Sequence, residues 1–541
     1  MPAPGCRAAA VRAWALALTG IPSVTGSRDE ADFAGRLAAL LRASPALAAA
    51  EIWTLPVPGG RFPRACVVAL LRGDGRETMI LTGHYDTVHT EDYGPLRPLA
   101  LDPEALAPAL LASLAGATDA ASLAARADLA SGAFLPGRGL LDMKAGLAAA
   151  IAVMEEAAAT PGRRGNLLLL AVPDEEANSA GARAAAPALA EIAAARGLDL
   201  VGAVNLDSIG DPGDGSAGRR IALGSVGKLL PFALVVGRPA HAADAYAGLG
   251  ACALAGAIAA AMEWAPELAE TTGGDSTPGV TLLGMRDTKA GYDVTMPASV
   301  WMFWNVICHR RRPEEVLAGV ETILRRAVEE TLASLASRRP HAARGSPPEG
   351  FAVLRYGDLV AELASRDPEA GAAIAARAGE LAAGTLDLPE QCRRIAELAW
   401  SLSARPGPAV VLGFASLPYL PCALGADPAA RRLEAAARAT AADVSRRHGV
   451  AIGTRPFFPG ISDMSYLGEA DADAVPEIAR NTPCWGHAIA WREGSAIGGV
   501  PIGNAGPWGR DYHTSLERVD AGYAFAIVPE LLEGLIRRVL G

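Results

Sequence analysis

The chain has 541 residues, with 49 Lys and Arg against 59 Asp and Glu, a formal net charge of −10, eight His and seven Cys. This length allows three or four domains of ordinary size, or fewer large ones, each able to bury a core without staples. The acidic balance argues against nucleic-acid or anionic-membrane binding, which needs a basic surface, and seven scattered Cys without a CxxC pair indicate neither a disulfide framework nor a four-cysteine zinc site. They fit a reducing, cytoplasmic compartment.

Apolar residues make up 51% of the chain but aromatics only 5%, so much of the apolar count is Ala, a strong helix former. The first apolar stretch, Ala13 to Ile21, falls short of the ~20 residues a bilayer crossing needs and lacks a clear secretory cleavage site. It reads as an amphipathic helix entering a loop. Strands are expected at Ala65 to Leu71, Thr78 to Thr82, Asn166 to Val172 and Leu200 to Leu206, with helices between them. Continuous apolar strands alternating with helices predict a layered α/β sheet whose functional residues sit at strand ends.

Two seams rich in Gly, Pro and charge interrupt this rhythm, DPGDGSAGRR at 211–220 and SRRPHAARGSPPEG at 337–350. Between them lies a smaller α+β insert: a strand Phe232 to Val236, a long helix after His241, strand-like TLLGM and SVWMFWNVI, and a helix from Pro313. After the second seam come the strand PAVVLGFASL, a helix from Asp427 to His448 and a Gly/Pro-rich tail with His513. The Ala-rich tracts at 103–130 and 361–384 read as helices, and no internal repeat is present.

Five segments carry candidate chemistry. In LTGHYDTV, His84 ends an apolar strand and Asp86 lies on the same side two residues later, as a metal ligand and its orienter or as a structural pair would. In GRGLLDMKAG, Asp142 between a Gly-rich turn and a helix is either a ligand or a helix N-cap. LLLLAVPDEEANSAGA ends a buried strand in Asp174, Glu175 and Glu176, which repel one another unless solvent or a cation compensates them. AVNLDSIG places Asp207 at another strand end, and GPWGRDYHTSLERVD puts His513 in a loop with Glu517 four residues on. Two divalent cations with Asp142, Glu176, Asp207 and one bridging hydroxide make a neutral set, and mixed His and carboxylate donors suit zinc, cobalt or manganese better than calcium.

In wording and order, HxD, GxGxxDMKxG, PDEE, the strand-end Asp and GPxGxxxHTxxE resemble the M20 metallopeptidases and amidohydrolases. SVTGS, GISDMSYLG and the long stretch after the insert most resemble the arginine-utilisation branch of that family. The resemblance implies a zinc-peptidase-like α/β/α catalytic domain in two parts, residues 1–215 and 341–541, with a smaller inserted α+β lid, residues 216–340, that forms a homodimer.

It further implies two divalent metal ions, with zinc the first expectation. His84 and Asp207 would bind one, Glu176 and His513 the other, and Asp142 would bridge them. Glu175 would be the general base, Asp86 would orient His84, and His241 at the head of the lid helix would stabilise the oxyanion. A bridging hydroxide between metals ~3.5 to 4 Å apart would attack the amide carbonyl of a small peptide or N-acyl amino acid. The family's lid arginine has no direct counterpart: Asn305 stands near that register, and the run Arg310 to Arg312 follows later as a substitute clamp or a solvated strand end. Ser462 and Asp463 match a loop near the family's substrate pocket, or form an Asx-type turn.

A competing reading is a silent member of the same fold that binds a metabolite without turnover; the complete set of expected positions, base included, favours catalysis. A serine hydrolase or helix-borne zinc protease is disfavoured because GxSxG and HExxH are both missing, and a dinucleotide-binding enzyme because the Gly-rich turns do not read as the fingerprint between a strand and the helix it opens, GDGSAG at 213–218 lying in the first seam.

Overall fold

The computed structural model describes residues 4–211, 218–340, 350–491 and 498–541. These divide into two compact units, one built from Met1–Ser225, Cys422–Ala470 and Gly494–Gly541, the other from Val226–Pro421 and Asp471–Glu493. Most of both expected seams, residues 212–217 and 341–349, lies outside the described residues.

The first unit is organised by an eight-stranded sheet in the order Glu51–Val57, Arg64–Leu71, Arg164–Val172, Asp74–His84, Asp199–Asn205, Ile502–Asn504, Arg220–Ala222 and Gly453–Arg455. Its central strands, Arg64–Leu71, Arg164–Val172 and the second half of Asp74–His84, are buried on both faces because their runs are apolar throughout rather than alternating. Val67, Ala69, Met79, Leu81, Leu167 and Leu169 join one apolar cluster with the helices Ala145–Ala158, Pro428–His448 and Val528–Leu540. The intervening Cys66, Val68, Leu70, Ile80, Leu168 and Leu170 are equally buried and face the other way. There the Cys66 thiol donates to the Gly181 carbonyl of helix Ala180–Arg196 at 3.4 Å. The result is the expected α/β/α layering, in which each buried Leu contributes about 1.5–3 kcal/mol relative to exposure.

Asp74–His84 runs parallel to both neighbours, with His84 beside Val172 and Thr82 beside Asn205. Parallel strands end on one rim, so the residues that follow Val172 and Asn205 emerge next to His84. A separate four-stranded sheet, in the order Phe134–Pro136, Arg518–Asp520, Trp508–Arg510 and Ile209–Gly210, pairs Gly509 with Val519 and Arg510 with Arg518. It makes a hairpin whose loop carries His513.

The second unit holds a sheet in the order Gly227–Leu229, Ser299–Cys308, Pro231–Val236, Ala409–Phe414 and Ala352–Arg355, with Thr281–Asp287 also paired to Ser299–Cys308. This corrects the expected boundaries of 216–340 and 341–541. The strand Ala409–Phe414, expected in the catalytic sheet, pairs along its whole length with Pro231–Val236, and Ala352–Arg355 pairs with it in turn. Residues 350–421 therefore belong with the second unit, joined by the returning segment 471–491, in which the Asn481 side chain accepts from the Gly357 amide at 3.1 Å. An apolar strand is compatible with either sheet, and only pairing decides between them.

The helix expected directly after His241 is also different. A short 3₁₀ segment, Ala242–Ala247, comes first, broken by the non-helical Asp244, and the α-helix Ala251–Met262 follows after Gly248 and Gly250. The tract 361–384 is split by Asp367–Pro368 into Tyr356–Arg366 and Pro368–Ala382, because a residue before Pro leaves the helical region. No helix among the described residues is long and apolar enough to cross a membrane.

Candidate metal centre

The rim of the eight-stranded sheet brings the expected ligands together. His84 and Asp86 are 2% and 0% exposed. The His84 Nδ1–H donates to the Asp86 carbonyl at 3.0 Å, with the Asp86 carboxylate at 3.6 Å. Asp86 thus orients the ring more closely through its backbone oxygen than through its side chain. That bond leaves Nε2 facing Asp142 Oδ1 at 3.1 Å and Asp207 Oδ1 at 3.8 Å, the tautomer a metal-binding imidazole needs.

Asp142 sits in the tight turn Leu140–Lys144 rather than at a helix N-cap, and its peptide bond to Met143 is cis. Its second oxygen, Oδ2, lies 3.2 Å from His513 Nε2, which is also 3.1 Å from the Glu176 carboxylate. Asp207 is held by a reciprocal pair with Asn504: the Asp207 amide donates to Oδ1 at 3.0 Å, and the Asn504 side-chain amide donates to the Asp207 carbonyl at 2.8 Å. Potential donor atoms of His84, Asp142 and Glu176 all lie within 4.8 Å of one another. Two imidazoles and three carboxylates, mostly buried and converging, make a borderline donor set that fits zinc, cobalt or manganese.

The protonation pattern reflects this crowding. Burial opposes protonation of His84, but hydrogen bonds to Asp142, Asp207 and Asp86 hold its pKa well above the ordinary value. His513 is pushed up to about 10, against burial, by Asp142 and Glu176. Burial would raise Asp142, yet His513 and His84 keep it below the usual carboxylate range. Glu175 is held well above its usual value, first by burial and then by Asp207, Asp463 and Glu176 against His84. The upward pull on both imidazoles reflects the excess of carboxylate charge around them, which cations would compensate.

The three consecutive acids diverge. Asp86 accepts from the amides of Glu175 at 3.1 Å and Glu176 at 3.2 Å, its two oxygens pinning that turn. Asp174, with φ 69°, turns away and pairs with Arg64, which also approaches Glu30 at 3.6 Å. No sequence signal marked Glu30 or Arg64, because single charges on a helix and a strand are ordinary until folding buries them together.

Burial raises Glu30 to about 7 from its model-peptide value of 4.5; Asp86 adds to the rise and Arg64 opposes it. A carboxyl whose pKa is raised on folding stabilises fully below pH 4.5 and loses that contribution as pH climbs through 7. Glu30→Gln should therefore remove a stability loss on the order of 3 kcal/mol between these limits. Denaturant unfolding of both proteins at pH 4.5 and pH 8 checks it, and parallel pH profiles would rule it out.

The remaining expected residues are distributed differently. Ser462 and Asp463 are buried in the first unit, Ser462 Oγ lying 3.2 Å from Ser225 Oγ and accepting from the Met464 amide at 3.3 Å. Asp463 is raised to about 7 by burial, with His84 opposing. Asn305 and His241 belong to the second unit. Asn305 lies opposite Thr281 in the sheet. His241 is exposed and caps the 3₁₀ segment, its Nδ1 accepting from the Ala243 amide at 3.1 Å. The arginine run serves the start of helix Pro313–Ser337: the Arg312 amide donates to Glu315 at 2.8 Å and the Arg312 side chain pairs with Glu314 and Asp471.

Residues 121–480 match the sequence model of peptidase family M20/M25/M40, a span that includes Asp142, Glu175, Glu176 and Asp207 but not His84 or His513. The chain is 29% identical to the YqjN protein of Bacillus subtilis strain 168, over 96% of this chain and 94% of that protein. It is 28% identical to protein RocB of the same strain, over 97% and 94%. Its fold is similar to that of an M20-family metallo-carboxypeptidase from Sulfolobus solfataricus, with a TM-score of 0.52, 11% identity, and 98% and 99% of the two chains covered.

Proposed function

Because the chain belongs to peptidase family M20/M25/M40, we propose that it is a two-metal hydrolase cleaving an amide bond of a small peptide or an N-acyl amino acid. The observation that carries this reading is the division of Asp142, one carboxylate oxygen facing His84 and the other His513. A carboxylate so divided suits a bridge between two cations, one held with His84 and Asp207, the other with Glu176 and His513. The chemistry such cations supply when bound is acidification of a water and polarisation of the scissile carbonyl. Zinc is the first candidate, with cobalt and manganese compatible with the same donors.

The chain's own residues supply the proton transfers. The Glu175 carboxylate takes the proton of the attacking water and delivers it to the leaving amine nitrogen. Asp86 supports this by fixing the backbone of Glu175 and Glu176 together, so base and ligand keep a constant offset. His241 is assigned the oxyanion role: its Nδ1 accepts from the Ala243 amide, which leaves Nε2 as the ring nitrogen able to donate. Asn305, Ser462 and Asp463 are assigned to the substrate pocket. Similarity to RocB accords with the arginine-utilisation branch that the motifs resemble.

Elemental analysis of protein reconstituted with zinc, cobalt or manganese, together with a panel of dipeptides and N-acyl amino acids, tests this function. Two metals per chain are expected, with hydrolysis lost on chelation and restored by readdition. Failure to take up metal from any of the three would overturn the site, and two metals with no turnover across the panel would overturn the substrate class.

A further inference from the structure

Outside the ligands themselves, a buried side-chain pair ties together three segments that carry them. Arg138 stands four residues before Asp142, and Glu517 stands four residues after His513. Their side chains are each 1% exposed and meet at 2.5 Å between Arg138 Nη1 and Glu517 Oε2. The other Glu517 oxygen accepts from the Gly139 amide at 3.0 Å, so this carboxylate grips both the side chain and the backbone of the Asp142 turn. Arg138 turns its other two nitrogens to the loop that follows His84: Nε donates to the His89 carbonyl at 3.0 Å and Nη2 to Asp92 at 2.6 Å. Its guanidinium also lies 5.2 Å from the Tyr93 ring centre.

A buried ion pair is a poor source of net stability, because desolvation consumes much of the attraction. What a planar guanidinium with three fixed directions does supply is geometry. His513 needs that support: it has φ 64° in an exposed loop, and its ring is 42% exposed. Glu517 closes the same loop, its amide donating to the Thr514 carbonyl at 3.1 Å.

We infer that Arg138 and Glu517 are positioning residues that set His513 against Asp142 and thereby govern binding of the second cation, the one assigned to Glu176 and His513. The inference rests on the two-metal reading above and adds to it a selective effect on one half of the site. Neither residue touches substrate or reacting atoms in this scheme.

Titration of the metal-free full-length protein with cobalt(II), followed by calorimetry and visible absorption, tests it. Wild type should bind two equivalents. In Glu517→Gln, which preserves shape but sets an amide against Arg138, the first equivalent should bind within about twofold of wild type. The second should weaken about 10- to 100-fold with an altered absorption band, the scale typical of groups that orient ligands. Arg138→Lys, which keeps the charge but cannot span three acceptors, should reproduce the split and decides the matter if Glu517→Gln does not fold. Two unchanged equivalents with an unchanged spectrum would overturn the inference. Equal weakening of both equivalents with a matching fall in the melting temperature of the metal-free protein would overturn it as well, since that is what a merely structural pair does. A wild-type protein that binds fewer than two equivalents would instead overturn the two-metal reading on which it stands.

Discussion

Glu175→Gln is expected to lower kcat by about 10²–10⁴-fold, the usual contribution of a positioned general base, while both metals stay bound. The separation follows from the turn after Val172. Glu176 faces His513, whereas no hydrogen bond among the described residues commits the Glu175 carboxylate. Since Asp86 holds the two backbone amides and not the Glu175 side chain, an isosteric amide leaves the turn and the ligand in place. It removes only the proton acceptor. Steady-state kinetics beside elemental analysis of the same preparation checks the prediction. A variant that keeps more than about a tenth of wild-type turnover with full metal content would exclude Glu175 as the base.

Arg64→Met should destabilise the first unit by about 3–5 kcal/mol, the cost of stranding buried charges without their partner. Arg64 is 9% exposed and lies between Asp174 and Glu30, both of which it faces directly. Burial already pushes both carboxyls upward and Arg64 opposes that rise, so without it their folded-state pKa values move further from the unfolded ones. The sign follows: the loss grows as pH rises through neutrality, where the unfolded chain ionises both acids freely. Denaturant unfolding at pH 5 and pH 8 measures this, and Arg64→Met with Glu30→Gln should recover part of the loss, since the two sites share one network. A change below about 1 kcal/mol at pH 8, the range of an exposed ion pair, would show that solvent reaches the cluster.

The wording around His84, Asp142, Glu175, Asp207 and His513 made most of the candidate site legible, because the chemistry is carried by short segments at predictable strand ends. The strand Arg164–Val172 and the helix Pro428–His448 were readable for the same reason: apolar runs, a Pro at the first helical turn and a Gly at its end act within a few residues. The helix after His241 was misplaced where Asp244, Gly248 and Gly250 interrupt an otherwise Ala-rich stretch.

Local pattern, then, determined which segments become strands, helices and acidic turns, and it ordered them along the chain. Tertiary structure alone decided that Ala409–Phe414 pairs with Pro231–Val236, that Asp174 leaves its two neighbours to meet Arg64, and that Asp142 divides its oxygens between two imidazoles. The reason is range. Hydrophobic period and turn chemistry act between residues a few positions apart, whereas strand pairing and compensation of buried charge join groups as distant as Arg138 and Glu517, 379 positions apart, and exist only once the chain has closed on itself.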